Sequence, residues 1–130
     1  TSADIEHSAD VARTAPLLSL AAAVISDPLI RNRATLGGSL AEASPHGDWP
    51  PVVLAADATI HLRCRDGERA VPACDFFTTD RAGFGRKATT LRRGELLTAV
   101  TVPAAGSLAR STYLKRMHPA SGHAMIGVAV

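Results

Sequence analysis

The sequence predicts an α+β protein whose sheet is mainly antiparallel and flanked by helices. Three observations carry this. The first half holds apolar stretches that start on proline and run at helical spacing, at 16–25 and 50–56. Residues 58–65 alternate apolar and polar with period two and lead into Asp66-Gly67, the pattern of a hairpin and therefore of antiparallel pairing. Apolar, β-rich runs then follow at 96–102, 111–117 and 123–130.

Taken in order, Ser8-Ala9-Asp10 can cap a short helical turn. Pro16 suits the first turn of a helix in which Leu17, Leu18, Leu20, Ala21, Val24 and Ile25 make one broad apolar face. Asp27-Pro28 ends it, because the residue before a proline is pushed out of the helical region. Two glycines bracketed by apolar residues follow in Leu36-Gly37-Gly38-Ser39-Leu40, where the backbone can turn with positive φ. Asp48 then stands before Trp49-Pro50-Pro51 as the N-cap of a helix through Val52, Val53, Leu54 and Ala56. In the alternating stretch, Ile60, Leu62 and Cys64 share one face, and Thr59, His61 and Arg63 share the solvated one. Asp66-Gly67 supplies the turn into Arg69-Ala70-Val71-Pro72, and Asp75-Phe76-Phe77 opens a short turn. Arg81 to Lys87, with Gly83 and Gly85, is expected to form a mobile basic loop. Leu96, Leu97, Val100 and Val102 make a strand closed by Pro103. Ala104-Ala105-Gly106-Ser107 reads as a linker, and strands over Ser111 to Met117 and His123 to Val130 follow it.

Composition narrows the function classes. The 130 residues are 46% hydrophobic and 20% charged, which is the balance of a globular chain able to bury a core. The net charge of +2 comes from well-mixed acids and bases, with one Trp, one Tyr and three Phe, so no nucleic-acid surface is expected. The longest apolar stretch, Ala15 to Ile25, is far short of the ~20 residues that span a bilayer. Cys64 and Cys74 are too few for an iron–sulfur cluster or zinc site, and reduced thiols in a cytoplasmic protein are expected. The chain opens on Thr and stops inside an apolar run at Val130, so it is expected to be cut at both ends.

The chemistry-bearing residues are few. Thr35, Gly37, Gly38 and Ser39 offer main-chain N–H groups and two hydroxyls, which suit the acceptor oxygens of a diphosphate; a plain tight turn is the alternative. Asp48 has two acceptor oxygens besides its capping role. Lys115 lies on a strand, where it either points to solvent or turns inward to meet a negative or polar partner. Ser44, His46 and Asp48 lie too close in one loop to converge as a catalytic triad. The five histidines have no metal-ligand spacing.

Several segments in order resemble one family. Arg31-Asn32-Arg33-Ala34, Thr35-Leu36-Gly37-Gly38-Ser39, and Pro45 with Asp48 and Pro50 look like the second flavin-binding segment of the FAD-binding medium subunit of molybdenum hydroxylases, the xanthine dehydrogenase and carbon monoxide dehydrogenase type. Asp75-Phe76-Phe77, Gly94-Glu95-Leu96-Leu97 with Val102-Pro103, Tyr113-Leu114-Lys115, and His118-Pro119-Ala120-Ser121-Gly122 continue the resemblance. It implies the second lobe of a PCMH-type FAD-binding domain at 1–104 and the start of a C-terminal α+β domain at 105–130. An earlier lobe with its own Gly-Gly loop is expected before this point.

The resemblance implies noncovalent FAD as the cofactor and further roles for single residues. Asp48 would meet the adenosine ribose, Leu96 and Leu97 would pack on the isoalloxazine ring, and Lys115 would approach that ring. Implied partners are a large molybdopterin-binding subunit and a small [2Fe-2S] subunit, with NAD or another acceptor taking the electrons. Ser39 departs from the family's common Asn and His123 from its acidic residue. An interaction module that kept the fold without binding FAD is the alternative, and an FAD oxidase of the vanillyl-alcohol type is disfavoured by Lys115 and the Pro119–Gly122 pattern.

Overall fold

The fold is taken from a computed structural model, which describes residues 1–78, 88–104, 106 and 110–130. The expected basic loop at 81–87, and Ala105 and Ser107 of the expected linker, lie outside the described residues.

Local chemistry accounts for the helical half. Helix α1 (Ser2–His7) was not foreseen; it starts on a reciprocal cap in which the Thr1 hydroxyl accepts from the Asp4 amide while the Asp4 carboxylate binds back to Thr1. Helix α2 (Ala9–Thr14) is capped by the Ser8 hydroxyl, as its sequence suggests. Helix α3 (Pro16–Ala23) begins on Pro16 but ends before the expected Ile25, with Val24 as its C-cap. Asp27-Pro28 does not terminate it. Instead the Asp27 carboxylate accepts from the Ile30 amide at 3.0 Å and starts helix α4 (Pro28–Arg31), with proline again in the first turn. Helix α5 (Leu36–Glu42) follows, closed by Ala43 in the left-handed region, and then helix α6 (Trp49–Ala55).

Strands β1 (Thr59–Cys64) and β2 (Gly67–Pro72) form the expected antiparallel hairpin. Its two-residue turn is Arg65-Asp66 rather than Asp66-Gly67: Gly67 already pairs with Cys64, at a φ of +146° that side-chain-bearing residues rarely adopt. After helix α7 (Ala73–Phe76), strand β3 (Leu96–Thr101) joins the far edge of β1, giving the order β2-β1-β3 with every neighbour antiparallel. Strands β4 (Tyr113–Met117) and β5 (Ala124–Ala129) pair antiparallel as a second, two-stranded sheet. The observed class is the expected one.

One core holds these pieces together. Ile60 and Leu62, on the same face of β1, meet Leu17, Leu18, Ala21 and Ala22 of α3, Leu40 of α5, Trp49, Val52 and Val53 of α6, and Phe76. Fully burying a Leu, Ile, Val or Phe side chain stabilises by roughly 1.5–3 kcal/mol. A one-residue slip of β1 would put His61 and Arg63 into this core, so the pattern fixes the register. His61 instead lies on the other face, its Nε2 2.8 Å from the Thr101 hydroxyl on β3. Tyr113 of β4 is also part of the core, which ties the second sheet to the first.

Candidate functional site

The approach to the glycine pair is pinned from two sides. Ser2 donates from its amide (2.8 Å) and its hydroxyl (3.3 Å) to the Ala34 carbonyl. Arg31 binds the Glu6 carboxylate at 2.8 Å and the carbonyls of Ile25 and Ser26 at 3.1 and 3.3 Å. Arg31 therefore joins α1, the end of α3 and α4, and the chain is delivered to Thr35 along a defined path.

Thr35 caps α5. Its hydroxyl accepts from the Gly38 amide at 3.0 Å and its carbonyl accepts from the Ser39 amide at 3.1 Å. Gly37 and Gly38 do not adopt the expected positive φ; they are helical, in the first turn of α5. The physical reason is the Thr35 cap, which nucleates the helix on the glycines themselves. Of the four amides that a helix start leaves without intrahelical partners, those of Leu36 and Gly37 have none among the described residues. The Thr35 hydroxyl keeps its proton to donate, and Ser39 keeps its hydroxyl.

The two glycines differ in what demands them. A Cβ at Gly38 would stand 2.8 Å from the Thr35 hydroxyl, so a side chain there would require the Thr35 side chain to shift. Among the described residues a Cβ at Gly37 would meet only Leu97, its Cδ2 at 3.4 Å and its carbonyl oxygen at 3.8 Å, both ordinary contacts, so the chain's own packing does not require glycine there. This donor set, bare and open at its first turn, fits an anionic group. Leu97 of β3 thus lies beside Gly37, whereas Leu96 projects from the other face of the strand and is 71% exposed. Leu96 is therefore not core, while Leu97 packs partly against it.

Asp48 and Lys115 come together, 67 residues apart in sequence. Asp48 occupies the N-cap position of α6 but makes no capping bond, contrary to expectation. Its backbone is helical there, and its carboxylate is turned to other donors: Tyr113 Oη at 2.7 Å on one oxygen and Lys115 Nζ at 2.9 Å on the other. Lys115 also donates to the Val24 carbonyl at 3.1 Å. The ion pair is buried, with Lys115 2% and Asp48 8% exposed, so the solvent-facing alternative for Lys115 does not hold. Burial and the hydrogen bond to Asp48 push the Tyr113 phenol well above its usual pKa, which keeps it a donor. Gly127 of β5 makes room for this arrangement: a Cβ there would fall 2.5 Å from the Tyr113 hydroxyl.

From sequence, Tyr113 stands only as part of the Tyr113-Leu114-Lys115 motif, with no role of its own. The available signal was its spacing from Lys115, since residues two apart on a strand share a face. Helix α5 packs on both β3 and α6, so it lies between the Leu96–Leu97 segment and the helix that begins after Asp48.

Fold and site together define an α+β lobe with a capped, glycine-started helix open to an anionic ligand and a buried ion pair joining a second sheet to it. The chain belongs to the family described as the FAD binding domain in molybdopterin dehydrogenase, whose family model matches residues 1–105. It is 35% identical over 127 residues to the carbon monoxide dehydrogenase medium chain of Hydrogenophaga pseudoflava, covering 98% of this chain and 42% of that one. It is 38% identical over 103 residues to the nicotine 6-hydroxylase medium subunit of Paenarthrobacter nicotinovorans, covering 79% of this chain and 34% of the relative. The solved structure of a Cu,Mo-CO dehydrogenase superposes with a TM-score of 0.89 at 28% identity, covering 99% of this chain and 43% of that one. The chain thus spans about a third to two-fifths of the length of these medium-chain relatives. FAD is the cofactor of the family, and the chain is part of an FAD-binding medium subunit of the molybdenum hydroxylases.

Proposed function

We propose that this chain holds the diphosphate of FAD at the first turn of α5 and that its parent subunit relays electrons from molybdopterin-binding and [2Fe-2S] subunits to NAD or another acceptor. The observation that carries the proposal is the Thr35-capped turn, with the free amides of Leu36 and Gly37 and no side chain at Gly37 or Gly38. Bound FAD would supply the redox chemistry, accepting and releasing electrons at its flavin ring.

The chain's residues then divide the work. Leu36 and Gly37 donate from the main chain, and Thr35 and Ser39 donate hydroxyl protons. Asp48 keeps a lone pair on each oxygen beyond Tyr113 and Lys115, through which it would accept ribose hydroxyls. Lys115 keeps one N–H beyond its two partners and would direct it towards the flavin ring, while Leu97, on the α5 side of β3, would exclude water from the ring face; Leu96, on the opposite face, does not share that contact. Residues after 104 are read as the opening of a C-terminal domain. The unpaired cysteines, Cys64 and Cys74, agree with a cytoplasmic setting as part of the same proposal.

Family membership and the open turn favour this over a module that keeps the fold without the cofactor. The test is assembly of the full-length subunit with its large and small partners, followed by rapid mixing with the substrate of the complex. Reduction of the flavin absorbance, followed by reoxidation on adding NAD or an artificial acceptor, is expected. A flavin that stays oxidised while substrate is consumed would contradict the relay.

A further inference from the structure

We propose that Arg69 and Glu95 are positioning residues for the cofactor site, holding the Leu96–Leu97 entry of β3 against the first turn of α5. The inference rests on the reading that Leu97 faces the flavin ring. Its own support is geometric. Arg69 Nε lies 2.7 Å from Glu95 Oε1 and Arg69 Nη2 lies 2.8 Å from Oε2, a two-pronged pairing that fixes orientation as well as distance. The same Nη2 donates to the Thr90 carbonyl at 3.0 Å, and the Arg92 amide donates to Glu95 Oε2 at 2.7 Å. The three bonds from Arg69 fasten the segment 90–95 to β2, and the Arg92 amide braces the Glu95 carboxylate within that segment.

The fastened residue is the one immediately before Leu96. The Glu95 side chain is only 6% exposed and that of Arg69 27%, so the pair is sheltered, unlike an ordinary surface ion pair. Gly94, at a φ of +84°, turns the chain into Glu95, and the Glu95 amide closes a turn onto the Arg92 carbonyl at 3.1 Å. Across the sheet, Arg69 pairs with Leu62 and Leu62 with Leu97, so the clamp and the residue beside Gly37 lie in one register row. The clamp thus reaches from the edge strand β2, across β1, to the start of the strand whose Leu97 lies against the glycine turn. Leu96, 71% exposed, has no core role and opens the ladder opposite Arg63, directly after the clamped Glu95.

The experiment uses the full-length FAD-binding subunit in its FAD-free form, titrated calorimetrically with FAD and separately with ADP, which lacks the isoalloxazine. Arg69→Lys keeps the charge and loses the two-pronged fork. It is expected to weaken FAD at least tenfold and ADP less than twofold, and to blur the vibrational shoulders of the bound flavin's visible band as water reaches the ring. Glu95→Gln, which keeps the shape, should shift the FAD-to-ADP affinity ratio in the same direction, as should direct removal of the wall in Leu97→Ala. Parallel weakening of FAD and ADP would make the clamp merely structural and overturn the inference; so would an unchanged ratio in both clamp variants. A wild-type subunit that binds neither ligand would instead overturn the cofactor reading on which the inference rests.

Discussion

Asp48 and Lys115 show what a single residue's surroundings decide. Sequence marked each of them, yet as a helix cap and as a strand lysine with two possible directions; nothing in local periodicity links positions 67 apart. Their pairing follows from burial: a lysine that is 2% exposed needs an opposite charge, and Asp48 gave up its cap to provide one. A neutral Asp48→Asn, which would have spared a cap, is therefore expected to be costly, because it leaves the Lys115 ammonium buried without its counter-charge. Breaking such a pair from one side typically costs about 3–5 kcal/mol. Lys115→Met should cost a similar amount. The double variant should lose clearly less than the sum of the two, since neither charge is then stranded. Urea unfolding of the four proteins checks this; additive losses would mean that the two groups act independently.

At the scale of elements, caps and periods were the legible part. Ser8, Pro16 and the alternation through Ile60 and Leu62 are local signals, and the elements they announce are present. The end of α3 and the start of α4 were harder, because Asp-Pro is both a stop signal and a capped start; here it begins α4, and α3 ends earlier, at Ala23. The glycine pair was misread in conformation for a related reason: Thr35 is an N-cap signal that competes with the turn signal of Gly-Gly, and the cap prevailed. The clamp on β3 was invisible, as Arg69 and Glu95 meet only once the sheet has formed.

That clamp makes a pH prediction. The hydrogen bonds from Arg69, helped by the Arg92 amide, lower the Glu95 pKa from its ordinary 4.5 to about 2. A folded-state pKa below the unfolded one means stability that is fully present above about pH 4.5 and lost as pH falls towards 2. Unfolding midpoints measured at pH 6 and at about pH 3 should therefore fall further in the wild type than in Glu95→Gln. Equal falls would show that the clamp carries no linked proton.

At the scale of the molecule, one buried cluster joins two sheets. A two-stranded sheet has little stability of its own, and β4–β5 is held here by Tyr113 in the core and by the Tyr113–Asp48–Lys115 contacts, with Gly127 leaving the space. Among the described residues no helix is long and apolar enough to cross a membrane. The family, its cofactor and the order of the strands were legible because many short motifs fall in register; the tertiary partners of those motifs were not.

The central claim is that the first turn of α5 receives the FAD diphosphate, and Gly37 tests it most directly. The chain's own packing tolerates a methyl there, and replacing a helical glycine by alanine favours the helix by up to about 1 kcal/mol. A ligand lying against the bare backbone would not tolerate it. In the full-length subunit, Gly37→Ala is predicted to unfold at the same temperature as wild type or higher while binding FAD at least tenfold more weakly by calorimetric titration. An unchanged FAD affinity in that folded variant would contradict the account.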